Sequence, residues 1–364
     1  MSKKYNSKKK LSQGAILGNA LRTDFQEFNK PVLKYANVPS DWLEKEETKT
    51  REIRNCDLLE NAFFGDKRRI KIALTYPNGA DINCVDSNKN NALILAVYSR
   101  KEEAVKYLAT YNKNERGEIL PEIDAINMNA LNKDGLSALS LAVKLGNLRI
   151  AKILLENGAN PNLVGAYKET PIFDAVKQND VPMIELLQSY GANINQRNRE
   201  GATPTIVACQ NKHRQEALVH LVKSGASFMA DFAGRNPLMH AANNSNGVMM
   251  DILLKRADYN KKFMDEQDKN GVSTLMLCCK RGNREATRVL ISRGANLNLQ
   301  DNNGRMAINY AKFYGNPTCF EITQKAMGIY EKGNELTGEA KDKFLETELG
   351  KIGFQNRVAN SCCK

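Results

Sequence analysis

Two neighbouring stretches of this chain spell the same unit twice. Residues 132–162 read NKDGLSALSLAVKLGNLRIAKILLENGANPN, and residues 168–196 read KETPIFDAVKQNDVPMIELLQSYGANINQ. Each opens with a polar turn and continues into a small-residue helix pattern, Ala138 to Leu145 or Pro171 to Gln178. Each then breaks at Gly146-Asn147 or Asn179-Asp180, resumes as a second apolar helix and closes on Gly-Ala-Asn-x-Asn. The closing glycines, Gly158 and Gly191, lie 33 residues apart. Ile150, Ile153, Leu154 and Leu155 give the second helix one apolar stripe at helical spacing. The small Ala142 lets the two helices approach closely, and Gly158 suits a left-handed helix end. A unit this short cannot cover its own apolar face, so it must stack on copies of itself.

The period, together with Thr170-Pro171-Ile172-Phe173 standing for Thr-Pro-Leu-His, resembles the ankyrin repeat. The resemblance covers roughly residues 55–327 and implies an all-α solenoid of about eight helix-turn-helix repeats with β-turn fingers. A basic N-terminal arm with a capping helix (1–54) precedes the array, and a helical tail (328–364) follows it.

Departures from the period mark loops. From Asn83 to Asn127 is 44 residues, so Asn112 to Pro121 is expected to protrude. The sixth repeat has Arg256 where its closing glycine belongs, followed by a longer loop with Lys261 and Lys262. After Met327 the pattern stops, and residues 338–349 predict one more helix. In the arm, Asp41-x-x-Glu44 imitates a capping box, and Trp42 is placed to cap the first repeat. The stretch Leu11 to Phe28 is amphipathic, either ordering on a partner or remaining solvated.

The chain carries a net charge of +12 and 42% hydrophobic residues, without an apolar run of the roughly 18 residues a membrane span needs. The basic N-terminus is followed only by a short apolar stretch broken at Asn19, which argues against a signal peptide. Eight cysteines are scattered without a C-x-x-C pair, and Cys209, Cys278 and Cys279 fall where alanine belongs. These features read as an intracellular, cytoplasmic protein in a reducing compartment.

Catalytic and metal motifs are not found. DEQDKNG hints at a calcium loop, but the bidentate acid it needs falls on Leu277. The three histidines lack metal spacing with the cysteines. Phosphate-loop, dinucleotide and serine-nucleophile patterns are missing too, so no cofactor, metal or enzyme activity is implied. Cys362 and Cys363 do not form a prenylation box.

The resemblance implies a concave groove floored by the first helices, and carried onto this chain it selects the residues flanking the buried alanine pairs. Basic candidates there are Lys144, Lys177, Lys280 and Arg281. Tyr98, His240, Tyr310, Phe313 and Tyr314 complete the partner-binding set. Arg284 and Arg288, with Lys255, Arg256, Lys261 and Lys262, suggest a second basic patch outside the groove. The leading reading is a non-catalytic interaction scaffold that holds an acidic or amphipathic protein segment, within a large assembly such as the cytoskeleton. The alternative is RNA binding through the basic patches. Because no repeat residue lies in the arm, deleting residues 1–30 should leave the thermal melt of the array nearly unchanged while weakening attachment to an acidic partner.

Overall fold

The computed structural model describes residues 51–75, 79–114, 116–244, 247–255, 261–335 and 338–354. Residues 1–50 of the arm with Trp42, Arg256 and the terminal cysteines lie outside them. Described residues form helices joined by turns, without a strand; isolated bridges such as Val85–Asn91 and Gln267–Ser273 pinch the bases of turns. The chain divides into two compact units, the first reaching Ala175 and taking in Pro182–Asn193, the second holding Val176–Val181 and everything from Ile194.

In the first unit the helix pairs are α1 (Arg51–Phe64) with α2 (Lys67–Thr75), α3 (Ala92–Tyr98) with α4 (Glu102–Ala109), and α5 (Ala138–Lys144) with α6 (Leu148–Glu156). Helix α7 (Pro171–Gln178) straddles the division, and most of α8 (Val181–Ser189) belongs to the first unit. First helices pack on first helices, α1 on α3 and α3 on α5, while the second helices α4 and α6 pack side by side. Ala142 is 0% exposed, as the close approach of its helices requires. Helix α1 runs through the expected arm boundary at 54/55, because Arg54, Leu58, Leu59 and Ala62 form one continuous buried face.

The second unit continues with α9 (Pro204–Cys209) and α10 (Gln215–Lys223), α11 (Pro237–Asn243) and α12 (Gly247–Leu254), then the short α13 (Lys261–Asp265). Next come α14 (Thr274–Arg281) with α15 (Arg284–Ser292), and α16 (Ala307–Phe313) with α17 (Pro317–Gly333). The last helix, α18 (Gly338–Phe354), outruns the expected 338–349, burying Ile352 as well as Leu349. It packs on α15 and α17. A Cβ on Gly333 would stand 2.7 Å from Leu345, so the missing side chain is what lets α17 and α18 meet.

Two polar devices recur. In the turns, one side-chain oxygen accepts two backbone N–H groups, those two and four residues on. Asn132 takes those of Asp134 and Leu136, Asn198 those of Glu200 and Ala202, and Asp268 those of Asn270 and Val272. Between repeats, an amide or carboxylate oxygen at the close of one repeat accepts the backbone N–H at the close of the next. In the first unit these rungs are Asn83 to Asn127 (2.6 Å), Asn129 to Asn160 (2.9 Å) and Asn162 to Asn193 (2.7 Å). In the second they are Asn195 to Ser227 and Asp265 to Asn296, both 2.8 Å. Met229 stands where the next rung belongs and offers only a thioether. A cleft of about 580 Å³ opens there, lined by Phe228, Met229, Phe263, Arg197 and Glu266.

The two repeats with irregular exits share a local solution. Each is capped by asparagine rather than serine or threonine, and the spare amide N–H reaches forward: Asn91 to the Asn127 carbonyl (3.1 Å), Asn236 to that of Phe263 (2.9 Å). The expected loop after α4 is a turn bridged from Lys113 to Ile119, with Ile119 exposed. Replacing Ala142 with Leu should overpack the joint and cost about 1–3 kcal/mol, read as a lower urea midpoint.

Candidate functional site

Ends of the first helices carry the side chains expected to meet a partner, and local packing holds those ends still. Helix α14 shows how. Ser273 caps its start, and its last turn carries Lys280 and Arg281, cations that complement the negative end of the helix dipole. Gly282 ends it in the left-handed conformation, φ 67°. The Asn316 side chain from the next repeat donates to the carbonyls of Cys279 (2.8 Å) and Lys280 (3.1 Å). A Cβ on Gly282 would come within 2.5 Å of that amide oxygen, so this cap needs glycine.

From this fixed end two side chains reach sideways. Arg281 donates from Nε (3.1 Å) and Nη2 (2.8 Å) to Asn243 Oδ1 on α11. Lys280 Nζ sits 5.1 Å above the Tyr314 ring, a cation–π contact. Phe313 stands edge-on to Tyr314 with centroids 5.1 Å apart. Both rings face outward, 77% and 43% exposed, while the last helix packs against second helices instead of covering them. Asn243, Arg281, Lys280, Tyr314 and Phe313 therefore form one continuous surface across three first helices of the second unit.

Two expected members of the site point inward. His240 is 6% exposed, its Nε2 3.0 Å from Asp231 Oδ2, and Tyr310 is 5% exposed, its hydroxyl donating to Asp301 Oδ2 at 2.7 Å. Each is nine residues past its turn carboxylate, where other repeats place Leu141 or Leu277. Here a polar ring fills that place and completes a network, Asp231–Arg235–His240 or Asp301–Arg305–Tyr310, whose carboxylate and ring are buried while its guanidinium is exposed. Both are corrections to the partner-facing set. Tyr98 is half-buried, its ring 6.5 Å from that of Phe63. Lys144 is half-buried at the end of α5 in the first unit, and Lys177 is exposed near the end of α7 in the second.

On α15 the charge of the outer patch is halved by one carboxylate shared between its two arginines. Glu285 lies 3.3 Å from Arg284 and 3.9 Å from Arg288, and Lys255 pairs with Asp251 at 2.6 Å. Lys261 and Lys262 open α13. The stretch KRRIKIALT on α2, passed over in the sequence, exposes Lys67, Arg68, Arg69 and Lys71; its run of cations was the available signal. Cys209, Cys278 and Cys279 are buried, and burial pushes their thiols up, so they act as packing atoms.

Stacked helix pairs, tied by side chains between repeats and displaying variable helix ends, define a repeat solenoid built for binding. A family model described as ankyrin repeats (3 copies) matches residues 58–165, 119–198, 172–263 and 261–324, and the chain belongs to that family. It is 28% identical over 200 residues to the protein glp-1 of Caenorhabditis elegans, covering 51% of this chain and 15% of that protein. To Rabankyrin-5 of Homo sapiens it is 33% identical over 169 residues, 46% of this chain and 14% of that protein. The chain thus spans only about a seventh of these relatives. The crystal structure of the ankyrin repeat domain of Bcl-3, of the IkappaB protein family, superposes with a TM-score of 0.55. It is 23% identical and covers 66% of this chain and 98% of that one, a likeness of fold. Ankyrin repeats generally mediate protein–protein interaction, and the fold is typically a non-enzymatic binding domain.

The two networks predict acid sensitivity in two steps. Burial holds His240 below the ordinary histidine value despite Asp231, so the unfolded chain takes up the proton first. Stability should fall as pH drops through about 6.5, the unfolded value. Burial alone would raise Asp231 and Asp301, but the N–H groups and guanidinium of Arg235 or Arg305, with the His240 or Tyr310 ring, hold both below the ordinary range. Their contribution is fully present above about pH 3.9 and is lost as pH falls below it. In thermal melts, His240→Leu should remove the first step and Asp301→Asn should blunt the second.

Proposed function

We propose that this protein is a non-catalytic scaffold that holds an acidic, aromatic-tolerant protein segment across the first-helix ends of its second unit. The exposed Phe313–Tyr314 pair beside Lys280 carries the reading. Two large rings at 77% and 43% exposure gain little for the fold where they stand. Aromatic and arginine side chains dominate binding energy at protein interfaces. Lys280 and Arg281 add positive charge beside them, as a glutamate- or aspartate-rich segment would require. Lys144 and Lys177 extend the same preference to other first-helix ends.

The net charge of +12 and the lysine-rich arm support attachment to an acidic polymer, and hence a place in a cytoplasmic, cytoskeletal assembly. Tubulin, with its acidic tails, is the polymer to test. In a titration of labelled microtubules, Lys280→Glu with Arg281→Glu should lower affinity at least about tenfold. The melt should move by no more than the roughly 0.5 kcal/mol typical of exposed substitutions. Arg284→Glu with Arg288→Glu, where Glu285 already offsets one of the two charges, should matter less. An effect confined to the α15 pair would place the contact on the second helices and overturn the reading. Crosslinking mass spectrometry in the native cell would name the partner directly.

A further inference from the structure

We propose that the outward face of α2, with the adjoining tyrosines of α4, binds single-stranded nucleic acid through its phosphate backbone. Lys67, Arg68, Arg69 and Lys71 are all exposed on one nine-residue helix that contains no acidic residue. Among the described residues, the one ion pair these cations make is Arg69 to Asp66 at 3.6 Å.

Three of the four stand in the first turn, where the positive end of the helix dipole repels them. Asp66 offsets this in part, its Oδ1 accepting the N–H groups of Arg68 and Arg69 at 3.1 Å each, and Glu60 lies within electrostatic reach of Arg69. Apart from the Arg69 pairing, the fold gains little from this placement, unlike that of Lys280 and Arg281 at a helix C-terminus. On the inner side, Ile70 and Ala73 alone anchor the helix as buried residues.

Aromatic rings adjoin the charge. Helix α2 packs on α4, and Lys67 Nζ lies 5.6 Å from the Tyr107 ring. Tyr107 and Tyr111 stand edge to face with centroids 5.8 Å apart, both half-buried. A firmly held ring beside a row of cations suits a splayed strand, whose bases can stack while its phosphates meet lysine and arginine. Glu102 and Glu103 open α4 beside the start of α2, where Lys101 lies against Gly65, and they border the cationic face at that end. An anionic membrane would instead call for protruding apolar side chains, and Ile72 is the one large apolar residue α2 exposes.

The test is fluorescence anisotropy of a labelled oligouridylate of about 16 nucleotides, with the full chain, in rising salt. Three to four phosphate contacts predict that the logarithm of the binding constant falls with a slope of about −2 to −3 against log salt. Arg68→Glu with Lys71→Glu should weaken binding at least about tenfold and flatten that slope by about 1.4. It should leave the melting temperature unchanged or higher, since the dipole repulsion is relieved. The neutral pair Arg68→Gln with Lys71→Gln should give a smaller loss in the same direction. Lys280→Glu with Arg281→Glu should bind the oligonucleotide as the native chain does. Three results would overturn the proposal: no saturable binding, equal binding by the α2 variants, or α2-dependent binding to phosphatidylserine vesicles without binding to the oligonucleotide.

Discussion

The stack depends on a single hydrogen bond repeated from one repeat to the next: an asparagine or aspartate oxygen accepting the N–H at the equivalent point one repeat on. Apolar burial drives helices together but is indifferent to small slides, because leucine and alanine surfaces tolerate a shifted neighbour. A directional bond of 2.6–2.9 Å at the closing loops that carry an oxygen does not. It sets the step between repeats and so decides which helix ends come level with one another. The turn oxygens, each satisfying two N–H groups, do for a single repeat what the rungs do between repeats.

This division of labour leaves the helix ends free to vary. Position nine after the turn is leucine in one repeat, histidine in another and tyrosine in a third, and the turn persists in all of them. Where the ring is polar, the turn residue is a carboxylate that accepts from it, as in Asp231 with His240 and Asp301 with Tyr310. Three and four residues beyond the last of these, Phe313 and Tyr314 remain outside, the Tyr314 ring stacked on that of Tyr310 at 6.1 Å.

Much of the fold was legible because it repeats: period, glycines, capping residues and the buried Ala142 are all local signals that recur. The site was less so. That His240 and Tyr310 turn inward depends on carboxylates nine residues earlier, a pairing that periodicity does not reveal in one sequence. Arg284 and Arg288 looked like a patch because Glu285 between them was not weighed as a partner. KRRIKIALT carries no repeat signature of its own, and only the structure shows its cations nearly unpaired and set in the first turn of a helix.

Met229 is the exception in the ladder of oxygens. Repeats joined in series behave like links under tension, and a strained series yields at its softest joint. Among the described residues the neighbours of Met229 are tied by other bonds, the Asn236 amide on Phe263 and Glu266 and the Asn244 amide on the Cys209 carbonyl, and a cleft opens beside it. A pull along the second unit would meet at Met229 a joint without the oxygen rung that Asn195 and Asp265 supply on either side, much as a folding ruler has one rivet of a different make.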